Sequence, residues 1–336
     1  MGYLRFGRPL AASLFIFGVC FAQQKLVKLT SDNSPLPPAA VWDVMIEGDG
    51  VWLGTGKGLF FFNKDGVKIF TSKSTNGGLR KDSVVKVFRD SSGCLWVATR
   101  SSFIGGGGLS KLCNGVWWLF LKGKTPLPSN FVWDIEEHPK GTLWFATDKG
   151  VAVYSNGKWK IYNMRNTGLG LPGDSVWDIF LDREGHLWFA TDRGVGWFDG
   201  KSWKNITRRN SSMKNDSTSC VLLDSKGRLW IGTRSGYFTK GGLVLYDGRR
   251  FTFFHKSDGL PHEDVNCLFE DSKGRLWVGT RGGLAVFEGR RLKTVLEEER
   301  VWDIAEDGYG NLYVATSSGL FLILEGSKKP VVLNRR

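Results

Sequence analysis

Tryptophan-aspartate pairs are the residues of this chain whose types could do binding chemistry. Indole rings stack on apolar faces of ligands, and carboxylates accept hydrogen bonds from hydroxyl groups. The pairs are Trp42-Asp43, Trp133-Asp134, Trp177-Asp178 and Trp302-Asp303. Cations recur further along, one or two residues after a Thr that repeats along the chain, in six of the seven units: Lys57, Arg100, Lys149, Arg193, Arg234 and Arg281. Together these groups are typical of a pocket with stacking platforms, hydroxyl acceptors and partners for anionic groups.

These residues belong to a repeat marked by one aromatic position. The aromatics are Trp52, Trp96, Trp144, Trp188, Trp230, Trp277 and Tyr313. In each unit, of which 171–200 is the clearest, short β-type runs are separated by Gly and Asp turns, as in a four-stranded antiparallel meander. Seven such units predict an all-β fold, a single seven-bladed β-propeller over residues 23–336. We expect the repeated aromatics themselves to be core residues.

The predicted propeller would gather the two sets of polar residues on one face. The innermost strand of each blade begins where the turn between its second and third strands lies. The Trp-Asp pairs would therefore surround the axial channel, with the cations around them. The equivalent pairs in the other blades are Val85-Lys86, Ser219-Cys220 and Asn266-Cys267. The alternative is that the Trp side chains pack between blades while the Asp and Arg side chains pair locally or lie in solvent.

Catalysis has little support in the sequence. The histidines fall at unrelated repeat positions, with no evident Ser/His/Asp arrangement and no Cys/His spacing typical of zinc: His138, His186, His255 and His262. We expect no catalytic residue, no metal and no cofactor. The Asp residues near the channel leave a metal-dependent glycan lyase or hydrolase as an alternative.

The chain has a formal net charge of +13. This balance favours anionic partners such as acidic glycans or phospholipid head groups, although solubility alone is an equally good explanation. No Lys/Arg run resembles a nucleic-acid-binding tail, so we expect no nucleic-acid partner. Residues 1–22 resemble a secretory signal peptide, with Arg5 and Arg8 before an apolar run and cleavage after Ala22. A lipid anchor on Cys20 is the alternative, and the predicted product is a periplasmic or secreted monomer.

Four cysteines remain beyond the predicted signal peptide. Cys94 and Cys113 would lie close to cross-strand register in one blade, and Cys220 and Cys267 share one position in adjacent blades. Because export permits disulfides, we predict the pairs 94–113 and 220–267, with buried free thiols as the alternative. The ring could close through Leu26–Leu29 or through 331–333. We expect the N-terminal strand to close it.

The repeat pattern D-x-V-W-D-I-x-x-D-x-x-G-x-L-W-x-[GA]-T-x-x-G-[LV]-x-x-[FY], with Leu-Pro loops between units, resembles the two-component regulator propeller repeat. The resemblance extends from Leu26 to the C-terminus. It implies an extracellular ligand-binding sensor of the kind found in hybrid histidine kinases. No kinase segment follows, so the resemblance predicts a stand-alone sensor that signals through a partner, such as a membrane-bound sensor kinase or another envelope protein.

The expected ligand is small or oligomeric, and the cations favour an anionic glycan. A protein-interaction scaffold in the cell envelope is the second hypothesis.

Overall fold

The computed structural model describes residues 25–30, 33–101, 106–289, 291–325 and 330. The predicted signal peptide, Cys20 and the segment 331–333 lie outside the described residues. Within the described residues the protein is a seven-bladed β-propeller, as predicted, and each blade is a four-stranded antiparallel sheet.

The strands are numbered in chain order and the blades follow the chain. Blade 1 comprises β2 (Val41–Glu47), β3 (Gly50–Thr55), β4 (Gly58–Asn63) and β5 (Gly66–Phe70). Blade 2 comprises β6 (Ser83–Arg89), β7 (Leu95–Arg100), β8 (Gly108–Cys113) and β9 (Val116–Phe120). Blade 3 comprises β10 (Val132–Glu137), β11 (Thr142–Thr147), β12 (Gly150–Ser155) and β13 (Lys158–Tyr162). Blade 4 comprises β14 (Val176–Leu181), β15 (Leu187–Thr191), β16 (Gly194–Phe198) and β17 (Trp203–Ile206).

Blade 5 comprises β18 (Thr218–Leu223), β19 (Leu229–Thr233), β20 (Gly242–Tyr246) and β21 (Phe251–Phe254), followed by a single 3-10 turn at Lys256–Asp258. Blade 6 comprises β22 (Val265–Glu270), β23 (Leu276–Thr280), β24 (Gly283–Glu288) and β25 (Arg291–Glu297). Blade 7 comprises β26 (Val301–Glu306), β27 (Leu312–Thr316), β28 (Gly319–Leu324) and β1 (Lys25–Leu29).

The N-terminal strand closes the ring. Strand β1 pairs antiparallel with β28, with Val27 opposite Leu322, and so becomes the outermost strand of blade 7. This confirms the prediction that Leu26–Leu29 takes that place. The innermost strands β2 and β26 then face each other across the junction between the first and last blades.

The turn between the first and second strands explains why Asp and Trp recur together. In blade 5 the Asp224 carboxylate accepts hydrogen bonds from the backbone N–H groups of Lys226 and Arg228 and from the indole N–H of Trp230 at 2.8 Å. The same indole bond recurs from Trp96 to Asp90 and from Trp277 to Asp271. The Asp thus stabilises the turn and satisfies a buried donor at once.

The core lies between the blades. Six of the seven repeated aromatics are buried, with Trp96, Trp230 and Trp277 fully so, which confirms the expectation that they are core residues. Trp188 is only partly buried. The turn between the second and third strands ends in glycine for a steric reason. At Gly150, with φ of +97°, a Cβ atom would stand 2.2 Å from the carbonyl oxygen of Tyr162.

Cys94 and Cys113 form a disulfide across β7 and β8, with their Cα atoms 4.5 Å apart. This agrees with the predicted pairing. Among the described residues, none lies in a helix of the length and apolar character that crossing a bilayer requires.

Candidate functional site

A cavity of about 540 Å³ opens at the face where the innermost strands begin. We call this the mouth face. The cavity wall contains all four Trp-Asp pairs, together with Arg100, Arg234 and Arg300. Its volume lies within the range of about 300–1,000 Å³ that is usual for small-molecule sites. The structure therefore brings the predicted Trp and Asp residues together at one end of the axial channel.

The four tryptophans form two contacting pairs in the cavity wall. The ring centroids of Trp42 and Trp302 lie 4.8 Å apart, and those of Trp133 and Trp177 lie 5.2 Å apart. The indole N–H groups of Trp42, Trp133 and Trp302 are buried without a hydrogen-bond partner among the described residues. A buried donor without an acceptor is costly, so these three groups leave hydrogen-bonding capacity unused in the cavity wall.

Three arginines cover the tryptophans at the cavity rim. The guanidinium carbons of Arg100, Arg234 and Arg300 lie 4.7, 5.1 and 4.0 Å from the ring centroids of Trp42, Trp177 and Trp302. Within the described part of the chain, none of the three is ion-paired with a carboxylate. Burial lowers the pKa of Arg234, and burial together with repulsion from Arg234 and Arg281 lowers the pKa of Arg300. An anionic group at the rim would relieve this repulsion.

The four Asp carboxylates connect neighbouring blades. Each accepts a hydrogen bond from a backbone N–H of the next innermost strand in the ring. The bonds are Val44 to Asp303 at 3.0 Å, Val87 to Asp43 at 2.8 Å, Ile179 to Asp134 at 2.8 Å and Val221 to Asp178 at 2.8 Å. One oxygen of each Asp carboxylate therefore already accepts a structural hydrogen bond, which limits what the carboxylates offer to a ligand.

Lys86 lies among these carboxylates. Its Nζ atom is 3.2 Å from Asp43 and 3.1 Å from Asp134. Burial opposes the charge of Lys86, but Asp134 and Asp43 outweigh it and hold the pKa of the amine well above its ordinary value. One cation does not neutralise four acids. Burial, opposed by Lys86, raises the pKa of Asp43 to about 7.

Two more acids of this cluster are perturbed in the same direction. Burial and the neighbouring Asp134 raise the pKa of Asp178 well above its ordinary value, and burial raises that of Asp303. Around neutral pH the cluster consequently holds protons as well as the charge of Lys86.

Blades 5 and 6 connect to the next blade through neutral side chains instead of carboxylates. The Ser219 hydroxyl donates to the carbonyl of Val265 at 2.6 Å, and the Asn266 amide donates to the carbonyl of Val301 at 2.9 Å. Both residues stand at the position that Trp occupies in the other arc. Because Ser and Asn are smaller than Trp, the cavity has more room on this side.

The predicted bridge between Cys220 and Cys267 is wrong, since both residues are free thiols. Each sulfur packs against the glycine opposite it in its own blade. A Cβ atom added at Gly232 or Gly279 would stand 2.4 or 2.3 Å from the respective sulfur. The thiols thus fill space within their own sheets. Burial raises the pKa of both, so neither is a ready thiolate.

The predicted ring of cations divides into two groups. Arg100 and Arg234 line the cavity, whereas Lys57, Lys149, Arg193 and Arg281 are exposed and stand away from it. Connection length explains the difference. The exposed cations lie in two-residue turns between the second and third strands. The connections after Arg100 and from Arg234 onward are longer, and these two arginines lie against the cavity.

Sequence reasoning missed Arg300 and did not assign Lys86 to the site. Arg300 lies just before β26, one residue from Val301, and its signal was the sequence Arg-Val-Trp-Asp. Lys86 stands at the Asp position of blade 2, and a cation in a column of acids was the available signal.

A second cavity, of about 460 Å³, lies on the other side of this cluster. Lys86, Asp134 and Asp178 line both cavities, so the cluster separates them. Glu136 stands in the wall of the second cavity, where the equivalent residues include Met45 and Phe88. Burial raises the pKa of Glu136 to about 7.

The described residues hold no group of three or more His, Cys, Asp or Glu side chains arranged to bind a metal ion. The four Asp residues face different blades through their backbone hydrogen bonds. Asp43 and Asp134 use their other oxygens to pair with Lys86.

Several solved structures share this fold. The extracellular domain of a protein described as a hybrid two component system from B. thetaiotaomicron is 21% identical, with a TM-score of 0.71 over 89% of this chain and 41% of that one. A second such domain from the same organism is 18% identical, with a TM-score of 0.68 over 92% of this chain and 40% of that one. The chain therefore spans about two fifths of the length of these sensor domains.

A catalytically inactive virginiamycin B lyase from Staphylococcus aureus, solved with quinupristin, is also similar in fold. It is 16% identical, with a TM-score of 0.67 over 90% of this chain and 100% of that one. At these identities the similarities establish the fold alone. No curated protein matches the chain.

The family comparison is more specific than the structural one. The model of the two component regulator propeller matches residues 126–149, 170–193, 212–235 and 259–282. Each match contains the Leu-Pro loop or its equivalent, the innermost strand and the aromatic strand of one blade. Four segments of the chain, in blades 3, 4, 5 and 6, therefore match the two component regulator propeller repeat.

Proposed function

We propose that this protein is an exported, sensor-type propeller that binds an anionic oligosaccharide in the mouth-face cavity. The observation that carries the proposal is the layered wall of that cavity. Arginines without carboxylate partners lie over tryptophans whose indole N–H groups lack acceptors. A sugar ring offers an apolar face for stacking and oxygens for donors, and a carboxylate or sulfate on it offers a partner for the guanidinium groups.

The sensor assignment rests on the repeat family and on the shared fold. The similar structures include extracellular domains of two component systems, which supports an exported protein. Transmission of a signal requires a further component, and a membrane-bound sensor kinase is the proposed partner.

Calorimetric titration with a galacturonic acid trimer and with a neutral galactose trimer tests the ligand class. We expect the protein to bind the acidic trimer alone. The bound trimer should also raise the apparent stability of the protein, because a ligand that binds only the folded state stabilises that state. Binding of neither probe would direct the search to other anionic sugars, and equal binding of both would contradict the role of the arginines.

A variant pair locates the site. Trp133→Ala with Trp177→Ala should abolish binding of the acidic probe, because both stacking surfaces are removed from one wall. Trp118→Ala, on the outer strand β9 and 45% exposed, is the matched control and should bind as the wild type does. Unchanged binding by the double variant, with its fold verified by circular dichroism, would remove this cavity as the site.

A further inference from the structure

An aromatic finger projects from the mouth face at the connection between β19 and β20. It consists of Tyr237 and Phe238, which are 95% and 93% exposed. Their ring centroids lie 4.7 Å apart in an edge-to-face arrangement. The next most exposed large apolar residue of the described chain, Leu169, is only 53% exposed. Two adjacent rings held almost wholly in solvent mark a contact surface more strongly than a scattered apolar residue does.

The base of the finger is anchored firmly. The buried Asn215 side chain donates to the carbonyls of Arg234 at 2.8 Å and Lys240 at 3.0 Å, and so joins the two ends of the connection. A turn from Gly236 to Thr239 closes the tip, and the Ser235 N–H donates to Asp264 at 2.7 Å. A fixed loop loses little conformational entropy on binding, so its exposed rings are presented ready for contact.

Charge is distributed unevenly between the two faces of the disc. In the described connections at the mouth face, Lys and Arg outnumber Asp and Glu by more than three to two. In the described connections at the opposite face the two kinds are equal in number. Exposed cations of this face include Lys240 at the base of the finger and Arg208 and Arg209 in the loop before β18. The finger therefore stands on the basic face, which attracts anionic surfaces.

We propose that the mouth face docks on an anionic lipid surface, with Tyr237 and Phe238 entering the head-group region and the surrounding cations contacting lipid phosphates. Aromatic rings are favoured at the boundary between water and hydrocarbon, and clustered Lys and Arg are attracted to anionic leaflets. A soluble polyanion would account for the cations but would leave the two projecting rings unexplained. The finger and the cavity share the mouth face, and Arg234 lies at the base of the finger and in the cavity wall. The lipid contact is argued from the two exposed rings and the exposed cations, so it extends the proposed function and does not depend on it.

Co-sedimentation with lipid vesicles tests the proposal on the full chain. Vesicles of phosphatidylcholine with about 30% phosphatidylglycerol should bind the protein, whereas pure phosphatidylcholine should bind it about tenfold less or not at all. Binding should fall in about 0.5 M salt, which screens the cations. Failure to bind the mixed vesicles, or equal binding to both compositions, would overturn the proposal.

Matched variants separate the two contributions. Tyr237→Ser with Phe238→Ser should lower vesicle binding about tenfold, since the inserted rings are lost. Arg208→Glu with Arg209→Glu should lower it by a similar factor through charge reversal. Val116→Ser, at the exposed first residue of β9 on the opposite face, should change nothing.

Two further results make the interpretation unambiguous. Wild-type vesicle binding by the serine double variant would refute insertion of the finger and leave a purely electrostatic contact. Trp133→Ala should retain vesicle binding, so loss of sugar binding and loss of lipid binding are distinguishable failures.

Discussion

Two arcs of the ring join their blades by different chemistry. In the arc from blade 7 through blade 4, a Trp-Asp pair opens the innermost strand of every blade except blade 2, which carries Lys86. The carboxylate of each pair accepts an N–H from the next blade. In the arc of blades 5 and 6, Ser219 and Asn266 donate to a carbonyl of the next blade instead. Both solutions satisfy buried groups, but only the first gathers charge around the axis.

The difference shows what the charged arc requires. Four acids crowd around one amine, and burial raises the pKa values of Asp43, Asp178 and Asp303. The neutral arc needs no counter-ion, and its smaller side chains leave room in the cavity. Stability of the charged arc should therefore depend on pH and on Lys86, whereas stability of the neutral arc should not.

Removing Lys86 should have the largest effect. Lys86→Met leaves Asp43 and Asp134 buried without their cation, and loss of one partner of a buried pair costs about 3–5 kcal/mol. The loss should be greatest at pH 8 and smaller at pH 5, where the carboxyl groups can take up protons. Urea denaturation at both pH values measures it. Lys57→Met, an exposed control, should stay within about 0.5 kcal/mol of the wild type, and equal losses in the two variants would contradict the comparison.

Glu136 extends the comparison to the second cavity. Its pKa is about 7 in the folded protein, above the ordinary value of 4.5, so the folded state binds this proton more tightly than the unfolded state does. Stability should therefore fall as pH rises from about 4.5 to 7 and stay lowered above that. Glu136→Gln should remove this dependence and raise the free energy of unfolding at pH 8 on the order of 1–3 kcal/mol.

Thermal or urea unfolding at pH 4.5 and pH 8 gives the check for Glu136. The variant and the wild type should differ at pH 8 and converge at pH 4.5. Glu184→Gln, whose side chain is 78% exposed, is the control and should show no such pattern. The Glu136 carboxylate accepts a hydrogen bond from the backbone N–H of Glu137 at 2.9 Å. A Glu136 variant that is less stable than the wild type at pH 8 would show that this bond outweighs the cost of burial.

A change in the neutral arc should have a smaller, pH-independent effect. Ser219→Ala removes the donor to the Val265 carbonyl and should cost about 1–2 kcal/mol. The cost should be the same at pH 5 and pH 8, because no ionisable group is involved. Ser257→Ala, at an exposed site, serves as the control. A pH-dependent loss in the Ser219 variant would mean that the two arcs are electrostatically coupled.

The smallest effect is expected for an exposed cation of the mouth face. Arg193 is 64% exposed and lies 3.7 Å from Asp192, an arrangement worth little in water. Arg193→Gln should therefore change stability by less than about 0.5 kcal/mol and leave sugar binding unchanged. Arg234→Gln should weaken binding of the acidic trimer at least about tenfold, since a charge-assisted bond is lost. Calorimetry of both variants compares a cavity arginine with an outer one, and a greater loss in the Arg193 variant would reverse that assignment.

Repetition made the fold and part of the site predictable. Each unit carries its own turn signals and its own aromatic, so the seven blades and the gathering of the Trp-Asp pairs followed from the pattern. Features that depend on departures from the repeat were harder to foresee. Connection length decided which cations reach the cavity, as the contrast between Arg234 and Arg193 shows.

The remaining differences depend on contacts between blades. Cys220 and Cys267 share a repeat position, but each thiol packs against the glycine opposite it in its own sheet. The repeat position alone could not show that the side chains point there and not toward each other. Glu136 replaces an apolar residue at one position, and its altered pKa arises from burial near the axis. Such effects appear only when neighbouring blades are placed together.

Closure of the ring through β1 sets the order in which the molecule can be completed. The first described strand pairs with the last, so Val27 must wait for Leu322 to be synthesised. Until then blade 7 lacks its outer strand. The contact that closes the ring thus joins the two most distant described strands of the chain, a kind of pairing that forms slowly and leaves sheet edges open until it is made.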